Sequence, residues 1–180
     1  ATQLFRMQGF LWLNQIFSKS LIDDLNQEIN KLLSESNNDL IWPTQKDNKR
    51  VQLTLKMNNI FNNPNVYGSE KILQVLNEIF AINAIPNNQV KEEYKRIVID
   101  SYTSITSLPR CSDQHIHSDG SGLFGSAIDK LLPTHAIILG IPLVNLEEKN
   151  GTTEIWPSSH MKSFNSKDSF KPFLMKGDCY

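Results

Sequence analysis

Residues 135–160 read HAIILGIPLVNLEEKNGTTEIWPSSH, and the way this stretch divides decides the fold. Two β-rich runs, HAIILGIPLV and TTEIWP, are parted by polar residues with turn chemistry. Upstream, YKRIVIDSYTSI (94–105) is another run rich in β-branched residues, and the short QHIHSD (114–119) lies between it and His135. Beyond Pro86 the chain therefore reads as mostly β.

The first half is different. Following FSKS, the residues Leu21, Ile22, Leu25, Ile29, Leu32 and Leu33 fall at helical spacing, and Ser20 with Asp23 resembles a capping box. A second helix is expected from GSEK, where Ser69 can cap and Ile72, Leu73, Leu76, Ile79 and Phe80 form an apolar stripe ending near INAIPNN. Between the two, RVQLTLKM alternates Val51, Leu53, Leu55 and Met57 with Gln52, Thr54 and Lys56, the period of a half-buried strand. Asparagine clusters (SNND, NNIFNNPN, IPNN) mark polar turns around these elements.

The 180 residues suit one domain with a core, and 39% hydrophobic with 21% charged residues is a globular composition. Eighteen basic and nineteen acidic residues leave a net charge of -1, which removes the electrostatic case for nucleic acid or an anionic membrane surface. A small-molecule partner fits better. Cys111 and Cys179 form no CxxC unit, so neither a zinc knuckle nor a disulfide scaffold is indicated. The start, ATQLFRMQGFLWL, lacks a basic lead into a long apolar stretch, and no apolar run approaches the roughly 20 residues of a membrane span. The expectation is a soluble, cytoplasmic protein; nothing in the sequence speaks to its oligomeric state.

His115, His117 and Asp119 occupy alternate positions, which on a strand share a face. An imidazole and a carboxylate two apart can reach one ion at about 2.0–2.2 Å, and a further histidine would complete the 2-His-1-carboxylate set that leaves one face of Fe(II) open. An HxD alone is a weak signal. In the plainer reading it is a polar loop where His117 and Asp119 bond each other or the backbone, or one where His115 rather than His117 lies at the surface.

The downstream residues add context. His117-Ser118-Asp119, then HAIILGIPLV, then EEKNG, then Trp156-Pro157-Ser158-Ser159-His160, then Gly177-Asp178 follow one another in the order and spacing of the phytanoyl-CoA dioxygenase family, which the chain resembles. The opening FRMQGFLWLNQIFSKSLIDDLNQEI is similar to the family's Phe-x-x-x-Gly-Phe lead and helix. The resemblance implies an α+β protein built on a double-stranded β-helix (a cupin-like jelly roll) with N-terminal helices packed outside. It also implies Fe(II), with 2-oxoglutarate as cosubstrate and dioxygen, and hydroxylation of a small organic molecule with release of succinate and carbon dioxide.

Carried over by position, His117 and Asp119 become the iron ligands and Lys56 a cation for 2-oxoglutarate, although an exposed strand lysine is an equally ordinary reading. The carboxylate of Asp119 favours hydroxylation, since related halogenases carry a small residue there. His160 and Asp178 read as turn residues. Gly140 stands where the family often has a tryptophan, and Ser158 where it usually has glycine. The family's second iron histidine and its 2-oxoglutarate arginine follow the GD turn, so the third ligand is expected beyond Tyr180 and the last strands of the roll outside the chain. One oxygenase domain over residues 1–180 is expected, incomplete at its C-terminus, with 1–90 mainly helical support carrying one strand and 91–180 the first part of the roll. Two other readings stay open: a non-catalytic jelly-roll binding module or pseudoenzyme, and a cupin-type metalloenzyme using His115 and His117, for which the expected nearby glutamate is absent.

Overall fold

The computed structural model describes residues 1–35, 42–43, 49–81, 96–120, 122–124, 126–129, 131–161 and 167–180. The expected turns SNND and IPNN, the whole of INAIPNN, near which the second helix is expected to end, and the first two residues of YKRIVIDSYTSI lie outside these.

Helix α1 (Thr2–Gln8) stops at Gly9, whose φ of 83° is the left-handed conformation that ends helices and favours glycine. Helix α2 (Lys19–Glu35) buries Ile22, Leu25 and Ile29, one stripe at spacings of three and four. Each such side chain fully withdrawn from water contributes about 1.5–3 kcal/mol. The cap of α2 differs from the expected Ser20–Asp23 pair: the Ser18 hydroxyl accepts the Leu21 N–H at 3.3 Å. Ser18 directly precedes the first helical residue, so its oxygen faces the third N–H of the helix, and Ser20 is already inside.

A 3-10 turn (Asn59–Asn62) leads to α3 (Pro64–Tyr67), where the Asn63 side chain accepts from Asn65 N and Pro64 takes the first helical position, which needs no donor. Helix α4 (Glu70–Ile79) buries Ile72 and Ile79; Ser69 precedes it without a side-chain cap.

Strands β1 (Trp42–Pro43), β2 (Arg50–Thr54) and β3 (Thr103–Ser107) form an open antiparallel sheet in that order. The register sets Val51 opposite Thr106 and Leu53 opposite Ser104. Val51, Leu53 and the next alternate residue, Leu55, whose N–H still bonds Tyr102 O at 2.8 Å, are buried as the pattern requires, whereas Met57 lies past that bond and is exposed. Leu53 and Leu55 join Phe17, Ile22, Leu25, Ile29, Phe61, Val66, Ile72 and Cys179 in one core between the helices and one face of the sheet.

The fold is thus α+β. Among the described residues, however, HAIILGIPLV and TTEIWP form no regular strand. The chain around them meets residues 170–180 through single bridges, Leu146 with Leu174 and Ile155 with Phe170, while Gly140 and Tyr180 exchange two backbone hydrogen bonds. A strand becomes regular only where consecutive residues find ladder partners, and here each meeting is a point.

Candidate metal centre

Strand β3 hands the chain to QHIHSD through a tight turn. Cys111 N donates to Leu108 O at 3.1 Å, and Arg110 has a φ of 64°. The start of β2 holds this turn from the side: Leu108 N donates to Lys49 O at 2.7 Å and Lys49 Nζ to Arg110 O at 3.4 Å. Arg50 Nε donates to Ser107 Oγ at 3.1 Å and Nη2 to Ser112 O at 3.3 Å.

Residues 111–119 do not form a strand, so alternation does not bring the three ligand candidates to one face. A bend does it for two of them. His117 Nδ1 lies 2.7 Å from His115 O; a carbonyl can only accept, so Nδ1 carries the proton. The other ring nitrogen, Nε2, lies 3.3 Å from Asp119 Oδ1. His115 contributes its carbonyl, and its ring centroid stands 5.1 Å from that of His117, tilted by 42°.

A histidine whose second nitrogen is tied to a carbonyl has its tautomer and ring orientation set, the usual support of a metal-bound imidazole. Two atoms 3.3 Å apart can both lie about 2.1 Å from one ion, and nitrogen with carboxylate oxygen suits borderline divalent metals. The pair therefore fits part of an iron site. It is open to solvent, with side-chain exposures of 36% for His117 and 61% for Asp119. Among the described residues no group of three His, Cys, Asp or Glu side chains could hold a metal. Exposed His135 forms no such group with the pair among the described residues. Lys56 is exposed and leaves the sheet at the Tyr102 end, whereas QHIHSD leaves at the Ser107 end, so the register alone does not bring them together.

The two downstream turns hold the N-terminal lead in place. Ser158 N donates to Gln8 O at 2.7 Å, Ser158 Oγ to Met7 O at 2.8 Å, and His160 Nε2 to Arg6 O at 3.1 Å. Three successive carbonyls at the end of α1 are thereby satisfied, and the His160 ring packs on Gly9, where a Cβ would collide with it. Ser158 has a φ of 65°, which explains the family's glycine; here the hydroxyl's bond to Met7 offsets the strain.

At the second turn Gly177 has a φ of 100°, and a Cβ there would stand 2.6 Å from Phe17 O. Buried Asp178 accepts from Gln15 N (2.9 Å), Gln15 Nε2 (3.0 Å) and Met175 N (2.8 Å). Burial by itself raises its pKa, but the Gln15 and Met175 N–H groups and the Gln15 amide outweigh this and hold the carboxyl below its ordinary value. Cys179 beside it is pushed up to about 11 by burial and by the Asp178 charge, so the thiol stays protonated and inert.

Gly140, in place of a tryptophan, is covered by Tyr180: a Cβ on Gly140 would stand 2.5 Å from the ring, and the phenol oxygen lies 2.9 Å from Thr153 Oγ1. Tyr180, Thr153 and Arg50 carried no sequence signal, because each acts through a partner far away in the chain.

The family comparison is specific: the model for phytanoyl-CoA dioxygenase (PhyH) matches residues 5–177, and the chain belongs to that family. Its members are typically Fe(II)/2-oxoglutarate oxygenases. No curated protein matches the chain. Among the described residues no helix is long and apolar enough to cross a membrane.

Proposed function

We propose that this protein is an Fe(II)/2-oxoglutarate-dependent dioxygenase that hydroxylates a small organic molecule on a double-stranded β-helix scaffold. The observation that carries the reading is the His117–Asp119 pair, with Nδ1 tied to His115 O at 2.7 Å and Nε2 turned toward the carboxylate at 3.3 Å, in a chain of this family.

His117 through Nε2 and Asp119 through its carboxylate would hold the metal, with the third protein ligand contributed from outside the described residues. Bound Fe(II), with 2-oxoglutarate and dioxygen, supplies the oxidant for inserting oxygen into a C–H bond, with succinate and carbon dioxide as coproducts. The protein's part is to present the two ligand atoms together and keep the imidazole from rotating. Asp119 occupies the carboxylate position, which supports hydroxylation over halogenation. Lys56, whose side chain is exposed, is the candidate cation for the far carboxylate of 2-oxoglutarate.

Anaerobic Fe(II) titration followed by an assay for 2-oxoglutarate-dependent succinate tests this. Stoichiometric iron and succinate are expected. A protein that binds no Fe(II) and forms no succinate would sink the reading.

A further inference from the structure

We propose that Arg50 is a positioning residue for the His117–Asp119 pair, bridging the last residue of β3 and the chain that leads into the HxD. The inference rests on the metal reading above, but its structural half can be tested without metal. The guanidinium sits at the first residue of β2 and uses two edges of its fork: Nε donates to Ser107 Oγ at 3.1 Å and Nη2 to Ser112 O at 3.3 Å. Ser107 is where the ladder ends, and Ser112 lies five residues before His117. The four residues between them are closed by the Cys111–Leu108 bond and held by Lys49 through Leu108 N and Arg110 O.

Beyond Ser112 the character of the bonding changes. From Asp113 to Gly120 the hydrogen bonds and ion pairs among the described residues are local: His117 to His115 O, His117 to Asp119, and Ser118 to Gly120 O. These shape the pair internally but do not fix it to the sheet. Its orientation toward the rest of the protein is inherited from the anchor at residues 107–112, where Arg50 Nη2 reaches Ser112 O at 3.3 Å, a long-range hydrogen bond five residues before the first ligand. A lysine cannot replace it fully, because an ammonium on a flexible stem lacks the planar fork that reaches both acceptors at once.

The experiment compares the protein with Arg50→Ala, Arg50→Lys and Ser107→Ala, the last removing only the Nε acceptor. Backbone 15N order parameters are read in metal-free protein, and Mn(II) and Fe(II) affinities are measured anaerobically. In Arg50→Ala, order parameters over residues 113–119 should fall toward those of flexible backbone, below about 0.6, with β2 and β3 unchanged, and metal affinity should drop about tenfold. Arg50→Lys and Ser107→Ala should be intermediate. Unchanged order parameters overturn the proposal whatever the metal result, and faster motion with affinity within twofold of the parent overturns it as well. Should Arg50→Ala not fold, the two milder variants decide by the same criteria. A parent protein that binds neither metal removes the metal reading alone, while the order parameters still decide the strap.

Discussion

The phenol ring of Tyr180 lies over Gly140, in the space a side chain would fill: a Cβ there would stand 2.5 Å from the ring. The two residues also exchange both backbone hydrogen bonds, at 2.7 and 3.0 Å. An aromatic ring covering a glycine that pairs with it through the backbone restores packing that glycine lacks. Gly140→Ala should displace the ring and break its 2.9 Å bond to Thr153. Tyr180→Phe should lose that bond alone. Each is expected to lose about 1 kcal/mol in urea unfolding, and Gly140→Ala should lose no more when combined with Tyr180→Phe.

Asp178 ties the GD turn to the N-terminal lead. Its carboxyl lies below the ordinary value of 3.8 in the folded protein, so the unfolded chain takes up the proton first as pH falls. The stability it contributes is present above about pH 4 and is lost as pH drops through the folded value. Unfolding curves from pH 7 to pH 2 should show this decline, and Asp178→Ala should flatten part of it. That variant also leaves Gln15 N and Met175 N without their acceptor, a loss of about 2–3 kcal/mol.

At the candidate metal centre, His117 offers its ring and His115 its carbonyl. His117→Ala and Asp119→Ala should each abolish Fe(II) binding. His115→Ala keeps the carbonyl and should bind within a few-fold of the parent. Equal loss in all three by anaerobic titration would instead favour a site built on both histidines.

Ser158 holds a left-handed φ of 65° and donates its hydroxyl to Met7 O. Ser158→Gly removes about 1 kcal/mol of strain and a bond of about 1 kcal/mol, so its melting temperature should barely move. Ser158→Ala keeps the strain and loses the bond. Thermal unfolding should show it lower by several degrees.

Lys56→Ala should raise the 2-oxoglutarate KM about tenfold, the loss of one charge-assisted contact. The melting temperature should stay unchanged, because the side chain is exposed.

Much of this protein was legible in the order of its residues. The stripe of Ile22, Leu25 and Ile29 and the alternation of Val51, Leu53 and Leu55 are local periodicities, and the core forms where they place it. The HxD, the PSSH turn and the GD turn identified the family through their order, and the family match extends over residues 5–177. Tertiary structure decided what each of those motifs touches. His117 and Asp119 meet through a bend and a carbonyl rather than through a strand face, Ser158 and His160 serve the end of a helix about 150 residues away, and Arg50 reaches the chain that leads to the HxD. Side-chain periodicity is a property of neighbouring residues and can be read from spacing. A hydrogen bond between distant segments depends on how the whole chain closes, so its partners appear only when the fold brings them within 3 Å or so.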